Sequence, residues 1–301
     1  MTDGIKNFTE VLVASYNKYI KDFWDDEMEN SKSPGDFRTL DFVVHSWGDQ
    51  KCELLGKTPK EAIGEALPEE IDFDDITYMF ETFAVKAGFE IPNVITDLFF
   101  SAPDAAEEYI LSVIDNMDLS INVDKKISDE ENKKFCVFME AVGFLERISP
   151  DKAKERVFRI FKECDTKNNS INELVCEAMQ RCGFVDEMVE ILVNSTKIGE
   201  KEHFILQELV HIEDNESVFR CLKACLKKEC ENIAMTVQIV SDCGDGRLIP
   251  LMRKIARNQL KALFDAGKSP YDESKESQEF FLICNAITRI GGNIDDLLLP
   301  E

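Results

Sequence analysis

Five cationic side chains in one short stretch are the strongest candidates for chemistry in this 301-residue chain: Arg247, Arg253, Lys254, Arg257 and Lys261. No Asp or Glu lies between Gly246 and Asp265, and on a helix Arg253, Arg257 and Lys261 share one face at i, i+4 and i+8. An uncompensated basic face in an acidic chain has two uses. It can meet the protein's own carboxylates, or it can meet a phosphate-bearing partner. Truncating Arg253, Arg257 and Lys261 together separates them, because only the second makes partner binding depend on those side chains.

Catalytic constellations are absent from the rest of the chain. The three histidines are His45, His203 and His211, and the last two stand two helical turns apart with Gln207 between them, so the His-Glu-x-x-His zinc arrangement does not occur. Carboxylates come in adjacent pairs, Asp25 with Asp26, Glu69 with Glu70, Asp74 with Asp75 and Glu107 with Glu108. Neighbours on a helix point about 100° apart, and several of these pairs sit near helix starts, where the helix dipole favours negative charge. No calcium-loop spacing, phosphate-binding glycine loop or nucleophile elbow is present. The ten cysteines fall mostly on the apolar phase of helical patterns and none forms a Cys-x-x-Cys pair, which reads as core packing in a reducing compartment. The chain is expected to be non-enzymatic, with no cofactor, no metal site and no evident small-molecule substrate.

The elements that must position these residues read as helices throughout. Ile5, Phe8, Leu12, Tyr16 and Tyr19 predict an amphipathic helix over 5–22, followed by an acidic loop from Asp25 to Asp36. Residues 37–47 carry mixed helix and strand signals and are assigned to a helix; Trp24 and Trp47 read as packing residues, with a surface anchor as the alternative. Thr58, Pro59 and Glu61 form a capping box with proline at the first helical position. Further helices are expected at about 74–87, capped by Gly88, and at 92–101 and 103–116. Residues 117–128 are polar and lack helical period, which suggests a boundary between an acidic region, 1–120, and a second region, 121–301. Ser128 with Glu131 and Ser170 with Glu173 read as further capping boxes. Helices near 184–195, 199–212, 214–228, 230–243 and 247–266 follow, then a loop at Ser269 to Glu273 and a last helix with Phe280, Cys284 and Ile287. Leu297 to Leu299 are expected to fold back as a terminal cap.

The second region repeats. Ile148, Cys182, Ile212, Cys243 and Ile290 each precede a small, polar or acidic turn that opens a new apolar helix, at spacings of 34, 30, 31 and 47 residues. That is the period of a helical hairpin. The phrase from Cys243 to Met252, with Gly244, Asp245, Gly246 and Pro250, and the ending from Ala286 to Leu298 resemble HEAT-type (armadillo-like) helical repeats over residues 129–301. The resemblance implies an all-α solenoid, a right-handed superhelix of antiparallel helix pairs. Ala87, Gly88 and Phe89 read as a degenerate upstream copy, which makes region 1–120 a candidate extension of the array.

Charge narrows the choice of partner. The net charge is −24, and residues 1–130 hold 29 acidic side chains against 11 basic ones. Such a surface repels nucleic acid and anionic lipid and favours basic partners. No apolar run reaches the 18 residues of a membrane span and no secretory signal is apparent, so a cytoplasmic protein is expected. The function expected is an interaction scaffold offering an extended groove to a protein or peptide, with the charge favouring a basic one. Two alternatives remain: a nucleic-acid-binding or DNA-glycosylase-like protein on the same repeats, and an acidic decoy for a basic nucleic-acid-binding protein.

Overall fold

The computed structural model describes residues 3–30, 41–67, 71–120, 127–213 and 215–298. Among them the chain is all-helical apart from two strands of two residues each. It divides into two compact units, residues 1–118 with 123–149 and residues 119–122 with 150–301.

The first unit is built on α1 (Asp3–Asn30), α2 (Asp41–Ser46), α3 (Pro59–Ala66), α4 (Phe73–Lys86), α5 (Asn93–Phe99), α6 (Pro103–Asp115) and α7 (Asp129–Gly143). Helix α4 is the hub, packing on α1, α5 and α7, and α7 also packs on α6. Aromatic residues fill the space between them. Tyr16 and Trp47 lie 5.0 Å apart, each 6.0 Å from Phe83, and Phe80 stacks on Phe99 at 4.4 Å. Trp47 is therefore a core residue, whereas Trp24 stays 37% exposed.

Local signals account for the helix starts. Glu61 donates its backbone N–H to the Thr58 hydroxyl while its carboxylate accepts the Thr58 N–H, and Ser128 with Glu131 does the same at the head of α7. Two expectations for this unit need correction. Helix α1 runs on to Asn30, through the first part of the expected acidic loop, because Phe23 extends the buried stripe of Ile5, Leu12, Tyr16 and Ile20; the remainder of that loop lies outside the described residues. Ala87, with extended backbone, ends α4 in place of a left-handed Gly88 cap. Gly88 instead donates its N–H to the Asn17 side chain, which in turn donates to the Lys86 carbonyl.

The second unit consists of α8 (Pro150–Glu163), α9 (Asn169–Arg181), α10 (Val185–Asn194), α11 (Glu200–Leu209), α12 (Glu216–Cys225), α13 (Ile233–Ser241), α14 (Ile249–Asp265), α15 (Lys275–Arg289) and α16 (Asp295–Leu298). Helices α8 and α9 pack together, as do α10 with α11 and α14 with α15. Helix α9 also packs on α11, α11 on α13, and α13 on α15, while α10 packs on α12. At three aligned turns a glycine takes a left-handed backbone: Gly183 (φ 81°), Gly244 (φ 68°) and Gly291 (φ 85°). At the first and third, N–H groups beyond the glycine close back onto the last helical turn, Phe184 to Met179 and Gly292 to Ile287, which satisfies carbonyls that a helix end leaves open.

Two features of this unit differ from expectation. Ser170 does not cap α9; Asn168 takes the cap position, and the buried Asn172 side chain donates to the Asp165 and Asn168 carbonyls. The loops within two successive hairpins also pair as a short parallel ladder, β1 (Lys197–Ile198) with β2 (Glu229–Cys230), extended by the Glu231 N–H to the Ile198 carbonyl. No described helix is long and apolar enough to cross a membrane.

Candidate functional site

The arginines of the basic stretch meet different partners. Gly244 turns the chain after α13, and Asp245 then accepts the Arg247 N–H at 2.8 Å and caps a short 3-10 turn, Gly246–Leu248, that leads into α14 with Pro250 in its first turn. That turn aims Arg247 back at α12. Its guanidinium donates to Asp245 (2.6 Å) and Glu216 (3.1 Å) and lies 3.7 Å from the centroid of the Phe219 ring. The two carboxylates push its pKa up, and the same pairing holds Asp245 and Glu216 below the usual carboxylate range. A hydrogen-bonded cation over an aromatic face is a defined geometry even where solvent reaches it.

Arg247 closes one side of an open cleft of about 480 Å³. Its walls come from the two successive turns at Ile212 and Cys243, with Phe219 and Leu222 as apolar floor and Glu213 and Glu216 at the rim. Sequence reasoning placed Arg247 near a site but missed Phe219 and Glu216, which lie 28 and 31 residues upstream. The signal that could have found them is the repeat itself, because corresponding positions in neighbouring hairpins face each other across the turn.

Arg253 and Arg257 meet elsewhere, on α16. Asp296 receives Arg253 through both carboxylate oxygens, at 2.6 and 2.7 Å, and Arg257 at 3.0 Å, so its pKa is lowered chiefly by Arg253. Lys254 and Lys261 are exposed and form no ion pair among the described residues.

The other titratable candidates are structural. His203 is buried, with Nε2 2.9 Å from the Thr236 hydroxyl, and burial lowers its pKa. His211 lies in the turn beyond α11, so the two histidines do not share a helix as the sequence suggests. His45 contacts the Asn93 side chain. Asp74 and Asp75 fall in the first turn of α4, and Glu107 accepts both the Ser149 N–H (2.8 Å) and its hydroxyl (2.6 Å); Glu69 and Glu70 lie outside the described residues. Among the described residues no group of three or more His, Cys, Asp or Glu is placed to hold a metal ion. Cys176 and Cys284 are buried among apolar side chains, which raises both thiols, Cys284 to about 11, and leaves little thiolate for nucleophilic work.

Glu140, on α7, was not singled out by sequence. Burial, with a contribution from the Glu90 carboxylate, pushes its pKa up to about 7. The only hint was an acid four residues after Cys136 and two after the core residue Phe138. Comparison of the chain with protein-family models, with curated proteins and with solved structures finds no match.

Proposed function

We propose that the chain is a non-enzymatic interaction scaffold: HEAT-like antiparallel helix pairs in a right-handed superhelix, residues 121–301, preceded by an acidic helical region, 1–120, and acting in a reducing, cytoplasmic setting. The partner is a protein or peptide segment seated in the groove that successive turns form. The cleft beside Phe219 carries the reading. It combines an apolar floor, an aromatic ring stacked under a fixed guanidinium and a rim of carboxylates, features that favour a side chain with an apolar body and a polar or basic tip. The cation lining the cleft, Arg247, is already bound to two carboxylates, which supports a binding role for the cleft over a catalytic one.

The same pairing argues against the nucleic-acid alternative. A phosphate backbone needs several uncompensated cations, and Arg247 is bound to two carboxylates while Arg253 and Arg257 share that of Asp296. Filter binding with duplex DNA at low salt is expected to show no retention. Panning a random-peptide library on the full chain tests the scaffold reading directly. Enriched peptides should bind the Phe219→Ala/Arg247→Ala variant at least about tenfold more weakly, the loss expected when an interface anchor is removed. Peptides that bind both proteins equally well would sink the assignment of this cleft.

A further inference from the structure

Helix α16 brings a distinct chemistry to the basic face of α14. The Asn293 side chain accepts the Asp295 N–H at 2.7 Å and starts a helix of only four residues, Asp295–Leu298, that packs on α14. Asp296 bridges Arg253 and Arg257, and Leu297 beside it is 2% exposed. Among the described side chains the docking therefore uses one carboxylate shared by two guanidiniums and one aliphatic side chain. We propose that this face of α14 is a docking site for an acidic peptide bearing a leucine directly after an aspartate or glutamate, and that α16 is its intramolecular occupant, displaced when such a peptide binds.

Three observations support displacement. The Arg257–Asp296 pair is exposed on both sides, at 61% and 52%, so solvent and salt screen it, whereas Arg253, at 20%, holds the same carboxylate from a more sheltered position. A four-residue helix has too few internal hydrogen bonds to hold its own shape, and among its described side chains only Leu297 is buried. Finally, Lys261 lies one turn beyond Arg257 on the same face and carries no carboxylate among the described residues. A longer acidic peptide can place a second carboxylate there, which gives it a contact that α16 does not supply. Nucleic acid fits less well, because a phosphate backbone has no aliphatic side chain for the place Leu297 fills. The site is separate from the cleft beside Phe219 and stands or falls without it.

The test is a fluorescence-anisotropy titration at low salt of a labelled peptide copying residues 292–301. Three full-length proteins are compared: the natural chain, an Asp296→Arg/Leu297→Ser variant that releases α16, and the released variant carrying Arg253→Ala and Arg257→Ala. The peptide should bind the released variant at least about tenfold more tightly than the natural chain, because the competing segment is gone. It should lose at least about tenfold on truncation of the arginines and weaken as salt rises. Should the released variant lose helicity by circular dichroism, Asp296→Asn alone replaces it and the same order of affinities is required. Equal binding to all three proteins overturns the proposal, as does binding that survives loss of both arginines. Competition by duplex DNA but not by unlabelled peptide reassigns the face to nucleic acid, and a natural chain that sediments as a dimer through α16 reassigns it to a second copy.

Discussion

Two residues show how position changes what a residue can be. Glu140 is a carboxylic acid with its pKa raised from 4.5 to about 7 by burial and by Glu90. Between those values the folded chain keeps a proton that the unfolded chain has released. Stability conferred by the protonated form is therefore present at pH 4.5 and lost as pH rises to about 7, by at most about 3 kcal/mol. Glu140→Gln should flatten that decline, so chemical denaturation at pH 5 and pH 8 should show a smaller difference in the variant; an unchanged difference removes Glu140 as its source. Gly292 is constrained by space rather than charge. A Cβ there would stand 2.5 Å from Ile287 Cγ2 and 3.0 Å from the Ile287 carbonyl oxygen. Gly292→Ala should lower stability by about 1–3 kcal/mol, the usual range for overpacking, read from the urea midpoint.

At the scale of elements, the second unit joins its hairpins with long polar side chains as well as with apolar contacts. Lys228, in the turn after α12, donates to the carbonyls of Leu192 (2.6 Å), Val193 (2.8 Å) and Ser195 at the C-terminal end of α10. Lys201, on α11, serves α8 in the same way through Phe161 at 2.6 Å and Lys162 at 3.2 Å. Each lysine satisfies carbonyls that have no partner within their own helix and places positive charge at the negative end of a helix dipole. Lys228→Met keeps most of the aliphatic stem and removes the donor. It should cost about 1.5–3 kcal/mol, the range for hydrogen bonds involving a charged group, and hydrogen exchange should quicken first at the amides of the last turn of α10. Exchange that quickens evenly across the unit would instead mean that the lysine acts on global stability alone.

For the whole molecule, 59 acidic side chains stand against 35 basic ones. Exposed ion pairs each contribute about 0–1 kcal/mol, and salt screens them. The excess negative charge repels itself over the whole surface, and salt screens that as well, with the Debye length falling from about 30 Å to about 8 Å between 0.01 and 0.15 M. Because the repulsion is summed over the excess while most pairs contribute little, the balance favours the folded state as salt rises. The melting temperature should therefore increase from about 0.01 to about 0.15 M NaCl; a decrease would mean that specific pairs, such as Arg253 and Arg257 with Asp296, outweigh the net repulsion.

The sequence alone determined what depends on near neighbours in the chain. The capping boxes at Thr58 and Ser128 and the turns at Gly183, Gly244 and Gly291 were legible because each is satisfied within about six residues, although the left-handed backbone of those turns was not read from the sequence. The all-helical character followed from apolar spacing, which a helix reads every three or four residues. Only the tertiary structure decided which partner each exposed charge meets. Arg253 reaches Asp296 across 43 residues, Arg247 reaches Glu216 across 31, and Lys228 reaches Leu192 across 36. The basic stretch was visible as composition, but its division into a cleft-side arginine, a pair that holds α16 and two exposed lysines was not. An amphipathic pattern specifies that a face is buried, whereas the element that buries it depends on how the helices stack. Glu140 shows the same limit, since its proton is held by the helices packed around it and not by its neighbours in the chain.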